Sequence, residues 1–395
     1  MMKDVFMKHW DRSQNISAKW DELEAKFGEK DLYPLWIADM DFPAPEEVVD
    51  AVVEKAKQGI YGYTARPSSY YQAICDWTEK RFHYHLNPKF FIHSPGGVTS
   101  FTLALDVLTE KGDAVIVTPP VYPGFFRSIS GMGRKLVTSP MLESSTGNFE
   151  IDWEDFEQKI IQEKVKLFIF CNPHNPIGKV YKREELQKIA DICLRHKVQI
   201  IEDQMWRDLT FGESKTLSLL QLGEEVRQNT IACFSATKTF NLAGLHASFL
   251  YVSKEETRLA LIDKIEVLDI HRNNALSIVA METAFRKGES WLDSALEYLE
   301  ENLKIAVEFI QKELPQVSAY MPESTYTLWV NFSHFSLRGE EITKHLAKYG
   351  KIATGNGSPY GEGGETCQRI NLACSREVLF KALEGLKVAV KAMGE

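Results

Sequence analysis

The stretch SATKTFNLAGL, residues 235–245, begins where the apolar run NTIACF stops, and it sets one lysine, Lys238, among small and hydroxyl residues. Taking an ammonium out of water is costly, so an inward lysine needs an ionic partner or a covalent task. The same arrangement recurs upstream. AVIVT leads to PPVYPGF with Tyr122, KLFIFC leads to NPHNPIG with Asn175, and VQIIED closes on Glu202 and Asp203. HSPGGVTSFTLAL carries a Gly-rich turn opening a helix, where free amides and the helix dipole suit a phosphate. Taken singly, these are a turn, a loop aromatic, a helix cap and a surface lysine. Taken together, they match the needs of a phosphorylated pyridine aldehyde: an anion at the ring nitrogen, a donor at a phenolic oxygen, a flat partner over the ring, a phosphate cradle and an amine for the aldehyde.

The elements that must position these residues are short β-rich runs separated by helical patterns. The runs are AVIVT (114–118), KLFIFC (166–171), VQIIED (198–203), TIACFS (230–235) and ASFLYV (247–252). Helical spacing marks PEEVVDAVVEKAKQ, SSYYQAICDWTEKRF (with Ser68 or Ser69 as cap) and REELQKIADICLRH. Continuous apolar strands alternating with helices predict an α/β fold, with a mainly parallel sheet covered on both faces. In such sheets ligands bind beyond the carboxyl ends of the strands, which is where the chemistry-bearing residues fall. After about residue 285 long helices precede YTLWVNF and QRINLA, and a last helix starts near Ser375. This texture predicts a large α/β domain over 46–285 and a smaller α+β domain over 1–45 plus 286–395. The Gly-rich TGNGSPYGEGGE reads as a mobile lid or a long turn.

The chain has 395 residues, enough for two or three domains, with 26% charged residues and a formal net charge of −9. Its basic residues are scattered, which argues against nucleic acid and for a small-molecule substrate. No apolar run approaches a membrane span and the first residues lack a signal-peptide pattern, so a cytoplasmic location is expected. Cys75, Cys171, Cys193, Cys233, Cys367 and Cys374 form no CxxC pair, and no HExxH occurs, so neither a disulfide framework nor a metal site is expected.

NPHNPIG, Asp203, SATKTFNLAGL and RINLA together resemble the fold-type I pyridoxal-phosphate enzymes of the class I/II aminotransferase superfamily, in order and spacing across nearly the whole chain. PLWIADMDFPAP, YGYT, PPVYPGF and KTFNLAGL are similar, more narrowly, to the branch of bacterial cystathionine β-lyases and cysteine-conjugate β-lyases. The resemblance implies pyridoxal 5'-phosphate as cofactor, held by Lys238 as a Schiff base. Asp203 would face the pyridine nitrogen, Asn175 the phenolic oxygen and Tyr122 the ring face. Gly97, Val98, Ser235 and Thr237 would hold the phosphate. Tyr63 would reach that phosphate from a neighbouring subunit, which implies a homodimer with shared sites. Arg369 would grip the substrate carboxylate, helped by backbone near Trp36 and Ala38.

The chain departs from this pattern close to the cofactor. DQMW stands where the lyase branch reads DEIH, so Trp206 takes the place of a donor to the phenolic oxygen and Gln204 that of a carboxylate. PGGV replaces PGVV, and His246 falls where many aminotransferases carry a phosphate-binding arginine. The implied activity is β-elimination from cystathionine or another cysteine S-conjugate, giving pyruvate, ammonia and a thiol. The alternatives are transamination, a specialised elimination or cyclisation on another amino acid, and cofactor binding without turnover.

Overall fold

The computed structural model describes residues 2–12 and 15–394. Its main sheet has seven strands: β1 (Phe91–Ser94), β2 (Ala114–Val117), β3 (Lys135–Thr138), β4 (Leu167–Cys171), β5 (Gln199–Asp203), β6 (Thr230–Phe234) and β7 (Ser248–Val252). They lie in the order β1-β7-β6-β5-β4-β2-β3. Pairing is parallel from β6 through β3, whereas β7 runs antiparallel to both β6 and β1. The apolar runs therefore do form the expected mainly parallel sheet. The sequence reading passed over β1 and β3. One carries the buried polar His93, and the other is an edge strand whose Lys135 is exposed, so neither looks like a continuous apolar run.

Every residue of β2, β4, β6 and β7 is buried. Fully burying one Ile, Val or Phe contributes about 1.5–3 kcal/mol, so helices on both faces hold this sheet firmly. On one face Phe101 of the helix Gly97–Leu108 packs with Val115, Val117 and Ile169. On the other, Ile189 and Cys193 of the helix Arg183–Arg195 pack with Ile116, Phe168 and Ile200. The helix Ser68–Phe82 begins at Ser68 itself, with Pro67 as its N-cap residue, so neither Ser68 nor Ser69 is the cap.

A second sheet of four antiparallel strands is built from β8 (Ser318–Ala319), β9 (Thr327–Asn331), β10 (Gly355–Asn356) and β11 (Cys367–Asn371), in the order β8-β9-β11-β10. The long helix Glu289–Glu313 and the helix Arg376–Met393 accompany it. Tyr33–Pro34 pairs in parallel with Ile352–Ala353, tying an early segment to this later part of the chain. TGNGSPYGEGGE begins with β10 and continues into a turn. It contains a short 3-10 helix, Ser358–Tyr360, and the Tyr360 carbonyl accepts the Val121 amide at 2.9 Å.

Candidate active site

The carboxyl ends of β4, β5 and β6 open on one cavity of about 280 Å³, and each strand hands a functional residue to it. Asp203 is the last residue of β5, Asn175 lies four residues beyond β4, and Lys238 lies four beyond β6. Tyr122 precedes the helix Pro123–Gly131, whose first position is the proline that cannot donate an intrahelical bond. From the opposite side β11 delivers Arg369, and an irregular strap around residues 36–42 delivers Trp36 and Ala38.

Lys238 Nζ donates to the Ala38 carbonyl at 2.6 Å and lies 5.6 Å from the centre of the Trp206 ring. The Tyr326 hydroxyl donates to the same carbonyl at 3.0 Å and meets Trp206 edge-on, 4.8 Å between centroids. Burial, reinforced by the charge of Arg369, pushes the Lys238 amine down from 10.5 to about 8, while Asp39 and Asp203 pull it back. Asp203 is 6% exposed. Its Oδ1 accepts the Met205 amide at 3.0 Å, and its other oxygen has no hydrogen-bond partner among the described residues. Burial raises this carboxyl from 3.8 to about 7, against the Met205 hydrogen bond and the Lys238 charge. Such a carboxylate lacks a cationic neighbour close enough to hold it ionised.

Arg369 donates from Nη1 to Asn175 Oδ1 at 3.2 Å and from Nη2 to the Trp36 carbonyl at 3.3 Å, and its guanidinium lies 5.5 Å from the centre of the Tyr360 ring. Its Nε is buried without a partner among the described residues. Trp206, 4% exposed, likewise has no partner for its indole N–H among the described residues. Gly97 and Val98 form the first turn of the helix Gly97–Leu108 at the cavity wall, where helix N–H groups lack intrahelical acceptors. A Cβ added to Gly97 would come within 3.1 Å of Met205 Sδ, so the second glycine makes room for a thioether rather than for empty space.

Lys238, Asp203, Tyr122, Asn175, Gly97, Val98, Thr237, Trp206, Arg369, Trp36 and Ala38 thus share one cavity. Ser235, Tyr63 and His246 lie outside its wall. The Ser235 hydroxyl is buried, donating to the Ala247 carbonyl at 2.6 Å and accepting the Thr237 amide at 3.1 Å. Tyr63 is 95% exposed, beside Ile60 and Tyr61, and His246 is exposed at a left-handed turn after a 3-10 helix. Sequence reasoning missed Met205, Phe101 and Cys171 in the wall, and Tyr360 behind Arg369.

Three features of this cavity match a phosphorylated pyridine aldehyde carrying an amino acid. An Asp203 oxygen without a protein hydrogen bond suits a protonated ring nitrogen, an amine brought down to about 8 suits an aldehyde carbon, and the Arg369 guanidinium suits a substrate carboxylate. The aromatic and thioether wall of Tyr122, Phe101 and Met205 suits a flat ring. Among the described residues no group of three or more His, Cys, Asp or Glu is arranged to hold a metal, and no helix is long and apolar enough to cross a membrane.

This fold and site define a class. Residues 30–386 match the model of the aminotransferase class I and II family, and the chain belongs to that family. Within it, the chain is 36% identical over 385 residues to cystathionine beta-lyase PatB of Bacillus subtilis (strain 168), covering 98% of this chain and 99% of that one. Its fold superimposes on cystalysin from Treponema denticola, which contains a pyridoxal 5'-phosphate cofactor, with a TM-score of 0.94, 28% identity and 98% coverage of each chain. The PLP-bound C-S lyase from Staphylococcus hominis gives a TM-score of 0.90 and 29% identity, over 98% of this chain and 97% of that one.

Proposed function

We propose that this protein is a pyridoxal-phosphate-dependent carbon–sulfur lyase that eliminates a thiol from a cysteine S-conjugate such as cystathionine, leaving pyruvate and ammonia. The observation that carries the reading is the convergence of Lys238, Asp203 and Arg369 on one cavity at the carboxyl ends of the sheet. Bound there, the coenzyme supplies the electron sink that lets the Cα–H and Cβ–S bonds of an amino acid break.

The chain supplies position and proton placement. Arg369 offers the fork of its guanidinium to the α-carboxylate, and the Trp36 carbonyl and Asn175 keep that fork oriented. Lys238, whose amine loses its proton near pH 8, is the base for the Cα proton. Asp203 presents its unpartnered oxygen to a cationic ring nitrogen, and Tyr122 covers a ring face. Gly97 and Val98, with Thr237, offer amides and a hydroxyl to the phosphate. The Ser235 hydroxyl braces the turn that carries Thr237.

Two further parts of the reading concern assembly and location. The exposed Tyr63, with Ile60 and Tyr61, supports a homodimer in which this tyrosine completes a neighbour's phosphate site. All six cysteines are free and buried, which supports a reducing, cytoplasmic setting. We read the chain as two domains, 46–285 and 1–45 plus 286–395, because the seven-stranded sheet falls within the first and the four-stranded sheet within the second.

The test is release of pyruvate and free thiol from cystathionine without a keto-acid co-substrate. A strict requirement for a 2-oxo acid would make the enzyme a transaminase instead.

A further inference from the structure

The two cations of the cavity are held by one short piece of backbone. Arg369 Nη2 donates to the carbonyl of Trp36, and Lys238 Nζ to that of Ala38, two residues on. The carbonyls of Ile37, between them, and of Asp39, just beyond, both accept the side-chain amide of Asn371 at 2.6 Å. The strap bends at residues 36–37 and again at 41–42, and the Asp39 amide turns back on the Ile37 carbonyl at 3.1 Å, which fixes where these oxygens point. Asn371 stands two residues beyond Arg369 on β11, so one strand face grips the strap on both sides. A second asparagine, Asn241, takes up the Met40 amide and the Met40 and Phe42 carbonyls at 2.8–3.0 Å.

The side chains of the strap are clamped from the N-terminal segment. Arg12 donates to Asp41 Oδ1 at 2.9 Å, to the Met40 carbonyl at 3.3 Å and to Asp39 Oδ2 at 3.4 Å. Lys19, 1% exposed, reaches Asp41 Oδ2 at 3.0 Å and the Asp39 carbonyl at 3.3 Å. Two cations and two carboxylates thus close a compact cluster directly behind the carbonyl that holds Lys238. Charged groups placed together at this burial fix geometry more than they add stability.

We propose that the strap Trp36–Phe42 is the ruler that sets the spacing between the Lys238 amine and the Arg369 guanidinium, and that Arg12 is its remote positioning residue, acting through Asp39 and Asp41. Arg12 touches neither cation. It neutralises Asp39, which together with Asp203 and Arg369 sets the charge around Lys238, while uncharged Tyr326, Trp206 and Tyr122 complete the surroundings. Removing Arg12 loosens the strap and leaves Asp39 to Lys19, 3.4 Å away, with more negative charge uncompensated beside the amine.

The inference rests on the proposed activity only for the choice of substrate. The experiment compares wild type with Arg12→Ala, Arg12→Gln and Arg12→Lys. Phe6, fully buried against Phe42, Trp291 and Tyr298, still anchors the N-terminal segment in each variant. Two readouts are taken: KM and kcat for S-benzylcysteine, and the pH midpoint for capture of pyridoxal phosphate by coenzyme-free protein. Arg12→Ala and Arg12→Gln are expected to raise KM about tenfold with a smaller change in kcat, and to move the capture midpoint upward. Arg12→Lys is expected to restore both. An unmoved midpoint with unchanged KM overturns the proposal. So does a loss that follows melting temperature alone and that lysine does not rescue. If wild type releases no pyruvate from any conjugate, the lyase reading fails while the capture midpoint still tests the strap.

Discussion

Replacing Asp203 by asparagine should move stability and activity in opposite directions. The buried carboxyl is raised from 3.8 to about 7, so above that range its ionised form is held in the coenzyme-free protein at a cost of about 4 kcal/mol as a ceiling. About 2 kcal/mol is the expected share once neighbouring dipoles relax around the charge. The sign follows from proton counts. Between pH 3.8 and about 7 the folded chain keeps a proton that the unfolded chain has released, so stability falls as pH rises through this window. Asp203→Asn removes the titration while its amide oxygen still accepts the Met205 N–H. Melting curves of the coenzyme-free proteins should therefore coincide at the acid end and separate as pH climbs, with the variant the more stable. With coenzyme and a cysteine conjugate the order reverses. Losing the anion opposite the ring nitrogen should lower kcat by about 10²–10³-fold, equivalent to roughly 3–4 kcal/mol. A variant that is no more stable above pH 7, or one that keeps activity within tenfold, would refute the reasoning.

Lys238→Ala should abolish the yellow, borohydride-reducible adduct with the coenzyme; absorption spectra before and after reduction decide this, and an unchanged adduct removes Lys238 from the site. Capture of pyridoxal phosphate by coenzyme-free wild type should accelerate as pH rises through about 8, because only the neutral amine attacks an aldehyde; stopped-flow absorbance reads the midpoint, and a midpoint near 10 contradicts it. Arg369→Lys keeps the charge but loses the planar fork held between Asn175 and Trp36, so KM for the conjugate should rise about 10–100-fold with a smaller change in kcat. Trp206→His should shift the visible titration of the bound coenzyme, since it exchanges an unpartnered indole N–H for an imidazole; no shift means this wall does not reach the ring.

Much of the main sheet could be read from the residues because its inner strands are apolar on both faces, as in LFIFC and TIACF. The missed strands are those without that signature: FIHS buries a histidine, and KLVT lies at the sheet edge. Site residues directly following strands were legible, since strand ends are where such sheets bind ligands. Met205 and Tyr360 were not, because their positions depend on how loops fold back: Met205 against the turn at Gly97, and Tyr360 through its carbonyl to Val121. Ser235 shows the converse limit. Its position suits a phosphate, but only the folded backbone shows that the Ala247 carbonyl already takes its hydroxyl.

Trp36 and Ala38 reach Arg369 and Lys238 through main-chain oxygens, so the grip itself does not depend on which side chains they carry. Substitutions at residues 37 and 38 can therefore reshape the wall seen by an incoming molecule, whereas the Trp36 indole also donates to the Lys19 carbonyl at 2.9 Å and packs on Phe27. Length is another matter. One inserted or deleted residue would put these oxygens out of step with the two cations and with Asn371. Relatives with new preferences are thus expected to vary in spelling along this stretch and to agree in its register.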